Sequence, residues 1–171
     1  MKINVVLYQP EIPNNTGNIV RICKATGAKL HLIGPLGFDT HPRLLKRAAA
    51  GRRMSDIEHE IHVDYDAFQR KYSAEKIVYL TRYGLTNYAN YDFSKHKKEV
   101  WLMFGRESDG LPKTILQTAP ERCLRIPMQP ASRSLNLANS VMLLTYEVHR
   151  QTGFENLLVY EDQKGADWLL K

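Results

Sequence analysis

The sequence predicts an α/β fold in which helices cover both faces of a mainly parallel β-sheet. Short apolar, often β-branched runs alternate along the chain with amphipathic helical patterns, and this alternation is typical of such folds. The apolar runs are continuous rather than alternating, as in strands buried on both faces. Several of them end in a polar loop, marked by glycine or proline, that leads directly into a helix.

The first half of the chain begins with a predicted strand, Ile3–Tyr8, which prolines stop. We predict that Asn14 or Asn15 caps the following helix and that Gly27 ends it, because these are the residue types favoured at such positions. The remaining predicted elements are the strand Leu30–Ile33, the helix Pro42–Ala50, a short strand within Ile57–Val63, the helix Tyr65–Tyr72 capped by Asp64, and the strand Ile77–Thr81.

The second half begins with Tyr83–Lys98, a polar and aromatic segment predicted as loop. The predicted elements after it are the strand Val100–Phe104, the short helix Pro112–Gln117, the strand Cys123–Ile126 and the long helix Asn136–Gln151. Gly153 is predicted to end this last helix. We therefore divide the chain into a single domain, 1–153, and a C-terminal tail, 154–171, whose apolar residues predict that it packs against something: Phe154, Leu157, Leu158, Trp168 and Leu169.

Length and composition favour a cytosolic single-domain protein. The 171 residues suffice for one domain with a full core, and 43% of them are hydrophobic. The net charge of +6 favours polyanionic partners. Cys23 and Cys123 both lie in apolar segments, so we expect buried thiols in a reducing compartment. The N-terminal segment turns polar too early for a signal peptide, and no apolar run approaches the roughly 18 residues of a membrane span. We therefore expect a cytoplasmic location.

Standard catalytic signatures are missing from the sequence. There is no GxGxxG after the first strand, no P-loop, no GxSxG and no cysteine–histidine metal spacing. Of the six histidines only His59 and His62 lie close together, which favours a structural role and no metal site.

Three junctions between a strand and a helix form one candidate site. They lie within Ile3–Arg21, Val100–Pro112 and Ile126–Ser140, and each carries polar side chains on a loop after a predicted strand. Parallel sheets bind ligands outside the carboxyl ends of their strands, where such loops gather.

The same junctions carry a family resemblance. NNTGNIVR from Asn14, LMFGRESDGLP from Leu102 and IPMQPASRSLNLANSVM from Ile126 resemble, in the same order, the three motifs of the SPOUT-class RNA methyltransferases. The nearest group is TrmL (YibK), similar to tRNA (cytidine/uridine-2′-O)-methyltransferases of the wobble nucleotide. The resemblance extends to about Gly153, without Tyr83–Lys98. It implies a deep trefoil knot in the C-terminal part, which general folding rules would not predict. It also implies that S-adenosylmethionine binds in the knot loops.

Carried over to this chain, the resemblance implies six cofactor-binding residues: Leu80, Gly105, Ile126, Met128, Ser134 and Asn136. Each has an ordinary alternative interpretation. Gly105 could be a turn glycine, and Ser134 and Asn136 could cap the last helix. The three apolar residues could simply end strands.

Three further residues have implied roles near the reacting atoms. Asn15 and Glu107 would shape the site, although Asn15 could be a helix-entry residue and Glu107 a solvated acid or the partner of an arginine. Arg21 is the implied catalytic residue. Because guanidinium effectively never loses its proton in proteins, we expect Arg21 to hold a phosphate and stabilise the developing alkoxide. On charge alone it would be a solvated helix residue.

Basic residues give candidate phosphate contacts: Arg43, Lys46, Arg47, Arg52, Arg53 and Arg133. The alternative for each is a solvated charge. The resemblance also implies a homodimer that packs through the last helix and completes the site across that interface. The apolar residues Leu137, Val141, Leu144 and Val148 fit this packing, and they fit a monomer core equally well.

We therefore expect a homodimeric tRNA 2′-O-ribose methyltransferase that uses S-adenosylmethionine at the wobble nucleotide. Alternatives are ribosomal RNA or another tRNA position as substrate, a non-catalytic RNA-binding or assembly factor, and a small-molecule nucleotide-binding protein.

Overall fold

A computed structural model describes residues 1–38, 53–73 and 75–171 of the chain. The predicted helix Pro42–Ala50 lies outside these residues. The described part is an α/β fold, as predicted, and its sheet contains seven strands: β1 (Lys2–Tyr8), β2 (Lys29–Ile33), β3 (His59–His62), β4 (Ile77–Leu80), β5 (Thr86–Asn87), β6 (Glu99–Phe104) and β7 (Cys123–Arg125). Their spatial order is β3-β2-β1-β6-β4-β7-β5, and every neighbouring pair is parallel.

The described helices agree with the predicted ones to within a residue or two: α1 (Pro13–Thr26), α2 (Tyr65–Tyr72), α3 (Lys113–Leu116) and α4 (Leu137–Gln151). Asp64 caps α2 by accepting a hydrogen bond of 2.7 Å from the Ala67 amide, and Gly27 ends α1 with a φ of 70°. The predicted asparagine cap of α1 is wrong. The N-cap is Ile12, because Pro13 starts the helix without needing a partner for an amide hydrogen.

Helices lie on both faces of the sheet, as predicted. Alternate residues of β1 enter two separate cores, because successive side chains of a strand point to opposite faces. Val5 packs in the core that α1 and α4 cover, whereas Val6 packs in the core of α2 and α3. The four apolar residues of α4 considered for a dimer interface are buried in the first of these cores: Leu137, Val141, Leu144 and Val148.

The prediction that Tyr83–Lys98 is only loop is wrong. The segment contains strand β5 and the two short 3-10 helices Tyr88–Asn90 and Phe93–Lys95. Phe93 is fully buried, and its amide donates a hydrogen bond of 2.8 Å to the Gln151 side chain. Elements of two or three residues are too short to produce a periodic sequence pattern.

Strand β7 is inserted between β4 and β5, although β5 follows β4 along the chain after only residues 81–85. This connection lies against β7. The Thr81 amide donates a 2.9 Å hydrogen bond to the Leu124 carbonyl, and a Cβ placed on Gly84 would lie 2.5 Å from the Cys123 carbonyl oxygen. A side chain at position 84 would therefore force this connection away from β7.

The C-terminal tail does not enter the core of this chain, and what its apolar residues pack against stays a prediction. Apolar side chains along it are largely exposed: Leu158 by 61%, Trp168 by 54% and Leu169 by 87%. The two cysteines are free, buried thiols, as predicted. Within the described residues no helix combines the length and apolar character needed to cross a membrane.

Candidate functional site

A cavity of about 560 Å³ lies at the carboxyl edge of the sheet, where the loops after β4, β6 and β7 meet the start of α4 and residues near the start of α1. The three junctions that the sequence singled out therefore converge on one site. Nine of the predicted site residues line this cavity: Asn15, Leu80, Gly105, Glu107, Ile126, Met128, Arg133, Ser134 and Asn136.

Other predicted site residues lie elsewhere. Arg21 is exposed on α1 and is not part of the cavity wall of its own chain, and Arg53 is exposed just before β3. The remaining predicted phosphate contacts, Arg43, Lys46, Arg47 and Arg52, lie outside the described residues.

A chain of hydrogen bonds connects the three junctions. The side-chain Nδ2 of Asn15 donates to Glu107 Oε1 at 3.0 Å, and Asn136 Nδ2 donates to Asn15 Oδ1 at 2.9 Å. Glu107 also accepts from the backbone amides of Glu11 (2.8 Å) and Ile12 (3.3 Å), rather than from an arginine. A carboxylate that accepts several N–H groups is firmly oriented, so this network fixes the relative positions of the three loops.

Asn136 caps α4 and also joins the hydrogen-bond network of the site, while its contact with the cofactor stays a prediction. Its Oδ1 caps α4 by accepting from the amides of Ala138 (2.9 Å) and Asn139 (3.3 Å), while its Nδ2 holds Asn15. Because Oδ1 is bound to the helix amides, Nδ2 is the atom that faces Asn15, so the cap orients the hydrogen-bond network of the site. Ser134 does not cap the helix, because Asn136 takes that position, and it lines the cavity as an exposed residue.

Gly105 is required by the turn that follows β6. A Cβ at this position would lie 2.1 Å from the carbonyl carbon of Gly110 and 2.3 Å from the amide nitrogen of Leu111. The turn closes through two hydrogen bonds of 3.1 Å between the backbones of Arg106 and Gly110, and Gly110 has a φ of 76°. The space beside Gly105 is thus filled by protein backbone, which positions the loop that lines the cavity.

Two residues to which the sequence assigned no role lie within two positions of the ends of the central strands. Arg106 follows β6 and lines the cavity, and Gln9 follows β1 with a φ of 47°, a conformation that residues other than glycine seldom adopt. Their positions, one and two residues beyond the ends of buried strands, were the signal that could have identified them.

A second polar cluster lies between β2 and β3. His31 Nδ1 is 3.2 Å from His62 Nε2, so His62 pairs with His31 rather than with the exposed His59. Glu60 lies beside them and accepts from Lys71 at 2.5 Å and from the Tyr72 hydroxyl at 2.7 Å. Because its oxygens are already bound by these donors and by Lys29 at 3.4 Å, we interpret the cluster as a hydrogen-bonding network that joins β2, β3 and α2.

This cluster predicts that acid weakens the fold. Burial lowers the pKa of His31 to about 3, and the charges of Lys29 and His62 act in the same direction. The unfolded chain therefore binds a proton near pH 6.5 that the folded chain rejects, and the stability that neutral His31 contributes is lost as pH falls from about 6.5 towards 3. We expect this residue to reduce the free energy of unfolding by about 2 kcal/mol between pH 7 and 4.5.

Urea unfolding at both pH values tests this expectation. His31→Gln should reduce the pH dependence by about one proton, whatever its effect on stability at pH 7. The matched control His59→Gln changes an exposed histidine of the same cluster of strands and should keep the wild-type pH dependence. If the free energy of unfolding of His31→Gln depends on pH as it does in the wild type, His31 is not the residue that makes the fold sensitive to acid.

Comparisons with known proteins agree on a single family. Residues 2–146 match the model of the SpoU rRNA Methylase family. A relative from Geobacillus stearothermophilus, provisionally named tRNA (cytidine(34)-2′-O)-methyltransferase, is 45% identical over 92% of this chain and 99% of its own length. A solved structure that concerns the 2-OH methylation of C/U34 on tRNA is 37% identical and covers 90% of this chain and 98% of its own, with a TM-score of 0.81.

A more distant solved structure contains the cofactor. It is an AdoMet-bound rRNA methyltransferase from Sinorhizobium meliloti, 28% identical, with a TM-score of 0.76, and the match covers 87% of this chain and 56% of that one. Residues 2–146, which match the family model, include the strands and loops that build the cavity described above. This chain belongs to the SpoU methylase family.

Proposed function

We propose that this protein is an S-adenosylmethionine-dependent tRNA 2′-O-ribose methyltransferase that acts on the wobble nucleotide. The observation that carries the proposal is the convergence of three loops on one cavity, with Glu107, Asn15 and Asn136 hydrogen-bonded in series across it. The relatives named for modification of nucleotide 34 of tRNA supply the substrate. Their similarity extends over nearly the whole of both chains.

The cavity fits a nucleoside cofactor with both apolar and polar parts. Its volume falls within the usual range for small-molecule sites. Leu80, Ile126 and Met128 supply apolar wall for an adenine ring, and the Ser134 hydroxyl and Asn136 offer polar contacts. Gly105 and its turn bring backbone to the edge of the cavity. The bound cofactor supplies an electrophilic methyl group on a sulfonium.

The residues of the chain have to orient the ribose and stabilise charge on its oxygen. The 2′-oxygen must approach the methyl carbon in line with the bond to sulfur, and such positioning accounts for much of the barrier. Arg21 binds the neighbouring phosphate and stabilises the developing alkoxide through charge-assisted hydrogen bonds. Arg133, at the cavity, and the basic residues from Arg43 to Arg53 contribute phosphate contacts that raise affinity without selecting sequence.

We propose a homodimer as the active form. Because Leu137, Val141, Leu144 and Val148 are buried within one chain, the interface has to use other residues of α4. Met142 (46% exposed), Tyr146 (42%) and the nearby Leu135 (48%) are large apolar side chains available for it. The position of Arg21 outside the cavity wall of its own chain supports a site that a second copy completes.

We also propose the C-terminal trefoil knot that the family resemblance implies. Support comes from the insertion of β7 between β4 and β5, two strands joined by residues 81–85 alone. The close contact of Gly84 with Cys123 indicates that this connection crosses β7 directly. Residues 1–153 would then be the methyltransferase domain, with 154–171 as its tail. A tRNA substrate is consistent with a cytoplasmic enzyme.

Methylation assays with purified protein test the proposed function. Wild type with labelled S-adenosylmethionine should methylate tRNA on the ribose of nucleotide 34, and calorimetry should detect cofactor binding. Ser134→Ala should bind the cofactor more weakly, by up to tenfold, since it removes one hydrogen bond. Methylation of ribosomal RNA alone would favour the alternative substrate, and a complete lack of cofactor binding with or without tRNA would favour a non-catalytic RNA-binding protein.

A further inference from the structure

The crevice between the carboxyl ends of β1 and β6 is the switch point of the sheet. From β1 the chain continues to β2 on one side, whereas from β6 it continues to β7 on the other side, beyond β4. Parallel sheets bind ligands preferentially in the crevice where the direction of their connections reverses. Gln9 immediately follows β1, and Arg106 follows β6 after the single residue Gly105.

Arg106 is held in place at this crevice. Its backbone is fixed by the paired hydrogen bonds with Gly110, each 3.1 Å long. Its guanidinium carbon lies 5.7 Å from the centroid of the Tyr8 ring, and Nη2 donates to Gln9 Oε1. The side chain is therefore oriented by two residues from the end of β1.

Gln9 is itself fixed in a strained conformation. It has a φ of 47°, its amide donates a 2.8 Å hydrogen bond to the Ile33 carbonyl, and its Nε2 donates to the Gly34 carbonyl at 3.2 Å. Because the side-chain nitrogen is bound to Gly34, the side-chain oxygen has to face Arg106. Backbone strain of this kind is costly and tends to occur at functional sites.

The guanidinium donates its described hydrogen bond to the neutral Gln9, and although its charge helps to lower the pKa of Glu11, no carboxylate of the described residues forms an ion pair with it, so its other N–H donors remain for a ligand. The nearest carboxylates have other donors: Glu11 accepts from the amide and hydroxyl of Ser108, each at 2.9 Å, and Glu107 accepts from three N–H groups. The hydrogen bonds from Ser108 lower the pKa of Glu11, which keeps that carboxylate ionised. An anion at Arg106 must therefore lie on the side away from Glu11.

We propose that Arg106 binds a phosphate of the RNA substrate next to the methylated ribose, and that Gln9 and Tyr8 position it. This inference rests on the proposed function. Arg106 also lines the cavity in which we place the methyl donor, so a phosphate bound there lies beside the reacting ribose. Guanidinium suits the task because its planar donors match two phosphate oxygens.

The test uses Arg106→Ala and Gln9→Glu in the full-length protein. Gln9→Glu keeps the shape of the side chain but places a carboxylate against the guanidinium, so it neutralises Arg106 without removing it, and it also gives up the hydrogen bond to the Gly34 carbonyl. Both variants should raise the KM for tRNA about tenfold or more, because a charge-assisted contact is lost. Both should lower the salt dependence of tRNA binding by about one phosphate contact. Cofactor affinity, measured by calorimetry, should stay within about twofold.

The matched control is Arg70→Ala, which removes an exposed arginine from the last turn of α2 and should leave the KM unchanged. If the variants weaken cofactor binding and leave tRNA binding intact, Arg106 holds the cofactor carboxylate and the proposal is wrong. If neither affinity changes, the guanidinium is only structural. The methylation assay on the wild-type protein separates this proposal from the proposed function. If the wild type fails to methylate tRNA, the proposed function itself is wrong, and not only the role of Arg106.

Discussion

Arg21→Ala should reduce kcat for tRNA methylation by about 100-fold to 1,000-fold, because it removes the charge that stabilises the developing alkoxide. Cofactor affinity should be nearly unchanged, since Arg21 does not line the cavity of its own chain. Single-turnover assays at saturating tRNA and cofactor measure the chemical step, and calorimetry measures binding. Lys24→Ala is the matched control, because it removes an exposed cation one turn farther along α1 and should retain activity.

The same variant tests how the proposed dimer is built. A mixture of Arg21→Ala with a variant that fails to bind the cofactor should regain part of the wild-type activity if the arginine of one copy serves the cavity of the other. We expect this recovery because Arg21 lies outside its own cavity wall. No recovery, with subunit exchange verified, would place the arginine at the cavity of its own chain. Full activity of Arg21→Ala alone would remove it from catalysis altogether.

Gly105→Ala should have the largest effect on the structure of the site. The added Cβ would lie 2.1 Å from the Gly110 carbonyl carbon, so the turn from Arg106 to Leu111 has to move. We expect a loss of about 3 kcal/mol in the free energy of unfolding, together with at least a tenfold loss of cofactor affinity. Urea unfolding and calorimetry measure the two effects.

Gly27→Ala is the control for this substitution. Gly27 also resists replacement, because its φ is 70°, but nothing lies within 4 Å of a Cβ there. It should therefore lose only about 1 kcal/mol and keep full cofactor affinity, since the strain is confined to the end of α1. Equal losses in the two variants would contradict the steric explanation for Gly105.

The sequence by itself determined the α/β class, the order of most elements and the three loops of the site. Continuous apolar runs predicted the buried strands, and Asp64 and Gly27 marked helix ends, because these signals act locally. The family resemblance identified eight of the residues that line the cavity, and charge singled out a ninth, Arg133. Local signals failed for Tyr83–Lys98, where β5 is two residues long and exists through its pairing with β7.

Only the tertiary structure decided how the site is held together. The hydrogen bonds that Asn15 donates to Glu107 and that Asn136 donates to Asn15 join residues 92 and 121 positions apart, so no local pattern could reveal them. The same holds for Gly105, which has to be glycine because the backbone of Gly110 occupies the space that a side chain would need. The strand order brought Gln9 and Arg106 together from 97 positions apart, because β1 and β6 are neighbours in the sheet. Contacts of this kind depend on how the chain is folded in space, and a sequence pattern records only what lies nearby along the chain.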